Sequence, residues 1–158
     1  MLRRQFIRRG GEALSLAALA SAGLLPSLLR AEAPSDGWPT EAFHAEQLDR
    51  ARELLFGSAS AEATDAILIE APDIAENGRM VPVTATVDLP QPRSLALLSD
   101  ENPFPLLALA HFTPAVAATV SVRVKLGASA NLIALVEADG GLYRATRAVK
   151  VTAGGCGG

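Results

Sequence analysis

From Met80 to Leu89 the chain alternates strictly. Val81, Val83, Ala85, Val87 and Leu89 fall on one face, with Thr84, Thr86 and Asp88 on the other. A strand turns successive side chains to opposite faces, so a period of two buries one side of a pleated sheet and wets the other. Thr119–Leu126 repeats the pattern, setting Val120, Val122, Val124 and Leu126 against Ser121, Arg123 and Lys125. A helix cannot gather such runs on one side, so the two stretches commit the chain to half-buried sheet. Shorter apolar runs at Ala66–Ile69, Arg93–Leu98 and Leu106–Phe112 supply further strands. Asn131–Ala138 and Leu142–Thr152 form a hairpin about Asp139-Gly140-Gly141.

Seven strands at intervals of about ten residues, separated by Pro, Gly and Asn, predict an all-β antiparallel sandwich. With 158 residues the chain has room for one ordinary domain. Its single cysteine cannot form an internal disulfide, so neither a disulfide-stapled scaffold nor an antibody-type domain is available. A sandwich of immunoglobulin-like shape remains. Ahead of it, Phe43, Leu48, Ala51, Leu54 and Leu55 recur at roughly helical spacing, with Thr40 able to cap and Gly57 placed to end the helix. This reading makes 34–60 a linker with a short amphipathic helix covering one end of the core, and 61–152 the sandwich.

The charge is unevenly distributed. Residues 1–33 carry five arginines against Glu12 and Glu32, a net of +3, which leaves nine basic and fifteen acidic groups, a net of −6, on the remainder. No Lys/Arg cluster interrupts that acidic remainder, which argues against nucleic-acid binding. The first 33 residues read instead as an export signal. Arg3-Arg4 precedes Phe6-Ile7, an apolar run follows from about Ala13 to Leu29, and Ala31-Glu32-Ala33 offers small residues to a signal peptidase. The paired arginines point to the twin-arginine route and hence to the periplasm. Seventeen residues containing Gly23 and Pro26 are thin for a span that needs about 20 apolar residues, so no stable membrane anchor is expected. Pro34 hinders cleavage directly after Ala33 and moves the expected cut one or two residues on.

After Thr152 the alternation stops, and Ala153-Gly154-Gly155-Cys156-Gly157-Gly158 follows. Glycine has nothing to bury and the largest backbone freedom, so this stretch reads as a flexible arm. Five residues lead from Val151 to Cys156, a reach of roughly 17 Å when extended. Gly154, Gly155, Gly157 and Gly158 would give the arm its flexibility and let the thiol enter a narrow cleft. A lone thiol in an exported protein is unusual, because that compartment drives thiols toward disulfides.

These residues resemble the SoxY family, the sulfur carriers of the bacterial thiosulfate-oxidising Sox system. The tail Gly154-Gly155-Cys156-Gly157-Gly158 carries the resemblance. It is joined by Glu76-Asn77-Gly78 with Val81-Pro82, Asn102-Pro103-Phe104-Pro105, His111-Phe112-Thr113-Pro114 and the closing Val149-Lys150-Val151-Thr152. The likeness spans 60–158. It implies a periplasmic protein that is not itself an enzyme and has no bound cofactor, with sulfur intermediates held covalently on Cys156. It also implies partners: a SoxZ-type β-sandwich subunit forming a heterodimer, a haem-containing cytochrome that couples thiosulfate to the thiol, a hydrolase that releases sulfate, and a dehydrogenase for the remaining sulfane sulfur. An unperturbed cysteine, with a pKa of about 8.5, is only a few per cent thiolate near pH 7. Nothing in the tail supplies an activating charge, so activation is expected inside each partner's pocket.

Other sites are weaker. His44 and His111, the two histidines, with Cys156 give too few ligands for a structural metal. His111, on an apolar strand, reads as a hydrogen-bonded sandwich residue. Asp100-Glu101 before Asn102-Pro103 reads as a solvated turn, as does Asn77-Gly78. Two other classes stay open: a carrier activated at a Gly-Gly carboxylate, opposed by the export signal, and an exported structural or interaction sandwich whose cysteine only forms an intermolecular disulfide.

Overall fold

The computed structural model describes residues 37–152. From Pro39 onward these form one compact unit of two short helices and, among the described residues, nine strands in two sheets. The helices are α1 (Thr40–Phe43) and α2 (Leu48–Phe56). The strands are β1 (Ala61–Ala63), β2 (Ile67–Glu70), β3 (Ile74–Ala75), β4 (Val81–Val87) and β5 (Ser94–Ser99). They continue with β6 (Leu106–His111), β7 (Thr119–Val124), β8 (Ala130–Ala138) and β9 (Gly141–Val151). The larger sheet runs β1-β9-β8-β5-β6, with β3 also paired to β9, and the smaller runs β2-β4-β7.

The two alternating runs become β4 and β7, neighbours in the smaller sheet, paired from Val81↔Val124 to Thr86↔Thr119. Val81, Val83, Ala85 and Val87 are buried as the alternation requires. On the opposite face the Thr84 and Ser121 hydroxyls lie 2.9 Å apart as a cross-strand pair. The inward side chains meet Leu95, Leu97, Leu132, Ala134, Val136 and Val149 of the larger sheet in one core.

In the larger sheet β9 still alternates, with Arg144, Thr146, Ala148 and Lys150 exposed, but β5 does not, because both its faces are covered. Every residue of β5 is buried. Leu95 and Leu97 face the inter-sheet core, while Ala96 and Leu98 join Leu106, Leu135 and Leu142 against Ala42, Ala45 and Ala51 of the helical segment. The small alanines let the helices approach the sheet closely.

Four expectations need correction. The single helix is two, parted at residues 44–47. Thr40 is the first residue of α1 and not its cap, Pro39 standing in that position. The helical segment covers the outer face of the larger sheet, not an end of the core. Two strands were missed, β1 and β3. Both pair parallel to β9, so the sandwich is not wholly antiparallel. Gly57 does close α2, at φ +66, in the left-handed region that glycine enters freely. The β8–β9 hairpin turns through Asp139 and Gly140, the latter at φ +85.

Candidate functional site

The last described residue, Thr152, leaves one end of the sandwich, and three loops are fastened around that point. On one side of β9, the Lys150 amide donates to the Asp73 carbonyl (2.9 Å) and the Thr152 amide to the Ala75 carbonyl (3.1 Å). The Arg147 guanidinium pairs with Asp73 at 2.6 Å beside the same junction. On the other side, the Val151 amide donates to the Ser129 hydroxyl (2.9 Å). The end of β9 is therefore held from both edges.

Gly78 locks the β3–β4 loop onto this end. Its carbonyl accepts from the Leu126 amide at 2.7 Å. A Cβ at this position would stand 2.5 Å from the Leu126 carbonyl oxygen and 2.9 Å from Val151 Cγ1. Only a residue without a side chain lets the loop sit this close to β9. Asn77 shapes the approach, its side-chain oxygen accepting from the Arg79 amide at 3.0 Å as an Asx-turn.

Asn102 joins the third loop. Its amide nitrogen donates to the Lys125 carbonyl (2.7 Å), and its oxygen accepts from the Gly127 amide (3.1 Å). Next to it, both Asp100 carboxylate oxygens accept from Asn131, from the backbone amide at 2.8 Å and the side-chain amide at 2.7 Å. Asp100 is thus a half-buried clamp rather than the solvated turn residue expected, whereas Glu101 is exposed. Residues far apart in sequence, Gly78, Asn102, Asp100, Ser129 and Val151, meet at the root of segment 153–158.

The remaining expected residues divide. Cys156 with Gly154, Gly155, Gly157 and Gly158, and the signal residues Arg3 and Arg4, lie outside the described residues. His111 lies on the sandwich as expected, at the end of β6, an edge strand, where it is exposed. It sits with Phe112-Thr113-Pro114 at the end of the sandwich opposite Thr152, because Ser94↔His111 and Leu98↔Leu106 fix the direction of β6. His44 caps the C-terminus of α1, its Nδ1 donating to the Thr40 carbonyl at 2.9 Å. Among the described residues no group of three or more His, Cys, Asp or Glu is placed to hold a metal. An open groove of about 860 Å³ runs beside β9, lined in part by Thr64, Asp65, Leu68, Arg144 and Arg147. Sequence reading missed Ser129 and the Asp100–Asn131 clamp, since a serine and an Asp–Asn pair in loops carry no spacing that marks them.

The family model for sulfur oxidation protein SoxY matches residues 52–156, about two thirds of the chain. The chain belongs to the SoxY family. The matched span runs from α2 through both sheets and takes in all three loops at the Thr152 end. The structure of the sulfur carrier protein SoxY from Chlorobium limicola f thiosulfatophilum is similar, with a TM-score of 0.62 and 40% identity, over 67% of this chain and 96% of that one. Superoxide reductase (neelaredoxin) from Ignicoccus hospitalis shares the fold at TM-score 0.53 and 23% identity, over 58% of this chain and 95% of that one. A substituted form of that reductase gives 0.50 and 25%, over 67% and 93%. A search among curated protein sequences found no match. The SoxY likeness and the two-sheet architecture agree that the fold is a β-sandwich with a short helical preface.

Proposed function

We propose that this protein carries sulfur covalently on Cys156 during thiosulfate oxidation in the periplasm and is acted on by partner enzymes rather than catalysing the chemistry itself. Membership of the SoxY family supports the sulfur-carrier role. One observation carries the reading to a residue. The polypeptide leaves the sandwich at Thr152, from a root clamped on both edges of β9, with the chain's single thiol five residues beyond Val151. A clamped root with a glycine-framed thiol ahead of it gives a fixed pivot and a reach of roughly 17 Å.

The chemistry balances as two steps. Loading joins the Cys156 sulfur to the outer sulfur of thiosulfate: RSH + S₂O₃²⁻ → RS–S–SO₃⁻ + H⁺ + 2e⁻. The two electrons pass to an acceptor on a partner, such as the haem of a cytochrome. Hydrolysis then splits off sulfate: RS–S–SO₃⁻ + H₂O → RS–SH + SO₄²⁻ + H⁺. The persulfide left on Cys156 is the substrate of a further oxidising partner. A SoxZ-type sandwich subunit would complete the carrier as a heterodimer. Residues 1–33 would direct export through the twin-arginine route.

The test is the intact mass of the mature protein from thiosulfate-grown cells, taken before and after reduction. The expected result is a reducible sulfur adduct that maps to Cys156 and is lost in Cys156→Ser, on a chain from which the N-terminal signal has been removed. A bare thiol or a plain disulfide-linked homodimer in actively oxidising cells would favour a structural sandwich. An adduct on the Gly158 carboxylate would assign the protein to the carboxylate-activated carriers. Gly155→Val with Gly157→Val is expected to slow enzymatic transfer by widening the arm, and unchanged transfer would rule out a role for slimness.

A further inference from the structure

Six large apolar side chains are exposed among the described residues, and three of them, Ile74, Met80 and Phe104, stand at the end from which Thr152 departs. They are 57%, 60% and 50% exposed. Each belongs to a segment that clamps the arm's root. Ile74 precedes Ala75, whose carbonyl takes the Thr152 amide. Met80 follows Gly78, which packs on Val151 and Leu126. Phe104 follows Asn102, which bridges Lys125 and Gly127. The loops are held in place by these bonds, so the side chains are presented on a rigid base. Exposed charges from Glu76, Arg79, Glu101 and Lys125 stand in the same loops. Exposed apolar side chains set among exposed charges at one end of a sandwich have the composition of a recognition surface.

The length of chain beyond the sandwich says what covers it. Cys156 is the fifth residue after Val151, so the thiol travels at most roughly 17 Å from the end of β9. An enzyme that takes this thiol into a pocket must bring the rim of that pocket down onto this end of the sandwich. We propose that Met80 and Phe104, with Ile74, form the docking surface for the pocket rims of the enzymes that load and unload Cys156, and that those rims are apolar where they meet it. This rests on the carrier reading given above. A small apolar contact suits the purpose, because successive enzymes must bind and release the same carrier, and small interfaces are the transient ones.

The test uses the full mature chain together with its SoxZ-type partner subunit, a reconstituted loading enzyme, thiosulfate and an electron acceptor. It compares wild type with Met80→Glu/Phe104→Glu and with Val116→Glu, the last placing a charge on an exposed apolar residue at the opposite end. The expected result is a loss of roughly tenfold or more in kcat/KM for the double variant, carried by KM, the scale set by truncating one or two hot-spot side chains. Val116→Glu should match wild type. The urea midpoint and the rate at which a small disulfide reagent modifies Cys156 should be unchanged in both, which separates lost docking from lost folding or a hidden thiol. Equal loading of the double variant and wild type would overturn the proposal. So would a change from dimer to monomer in light scattering without a change in loading, which would assign the surface to a second copy of this chain. If wild type accepts no sulfur while its thiol reacts with the small reagent, the carrier reading itself fails, and the docking surface with it.

Discussion

Gly78 shows how much one residue decides at the end of β9. An added methyl group would press on the Leu126 carbonyl oxygen from 2.5 Å, and that oxygen is main chain and cannot swing aside. Gly78→Ala must therefore push the β3–β4 loop off β9, at about 1–3 kcal/mol, the usual range for overpacking. Urea denaturation should show this as a lower midpoint with an unchanged slope. Asn102→Ala is a gentler change. It removes two hydrogen bonds between the β5–β6 and β7–β8 loops, and a loss of about 1 kcal/mol is expected for partners that water can reach. Both residues were visible in the sequence only as parts of short motifs. Neither motif said what the residue touches, because Leu126, Val151 and Lys125 lie far along the chain.

At the scale of elements, the two sheets obey different rules because they have different neighbours. The smaller sheet has one buried face, and its strands alternate. Leu68 on β2 points outward and is 57% exposed, so Leu68→Thr should change stability by no more than about 0.5 kcal/mol. The larger sheet lies between the core and the helices, and Leu98 on β5 is fully buried on the helix side. Leu98→Ala should cost about 2–5 kcal/mol, as cavity-forming substitutions do. Thermal or urea unfolding of the two variants tests the layering directly, since equal effects would mean that the helices do not seal the outer face. The period-two pattern made β4 and β7 legible. β1 and β3 were not, for Ala61-Glu62-Ala63 and Ile74-Ala75 are too short to show a period. They are strands only because β9 runs past them with free hydrogen-bonding groups.

For the whole molecule, the proposed carrier role makes residues 153–158 the working extension of the sandwich. Deleting Gly154 and Gly155 should shorten the reach of Cys156 by about 7 Å. Enzymatic loading should then fall while a small disulfide reagent still modifies the thiol, which a stopped-flow comparison of the two reactions would read. Equal loss in both would mean that the deletion hides the thiol instead of shortening its travel. By itself the sequence determined the seven longer strands, the β-sandwich class, the closure of α2 at Gly57 and the glycine frame around a single cysteine. These are local properties, set by side-chain period and backbone freedom over a few residues. Only the tertiary structure decided that Asn77-Gly78 and Asn102 meet at the end from which Thr152 departs while His111-Phe112-Thr113-Pro114 goes to the far end. Strand direction and register make that choice, and register is fixed by pairing between residues dozens of positions apart, such as Leu98 with Ile133 and Val81 with Val124.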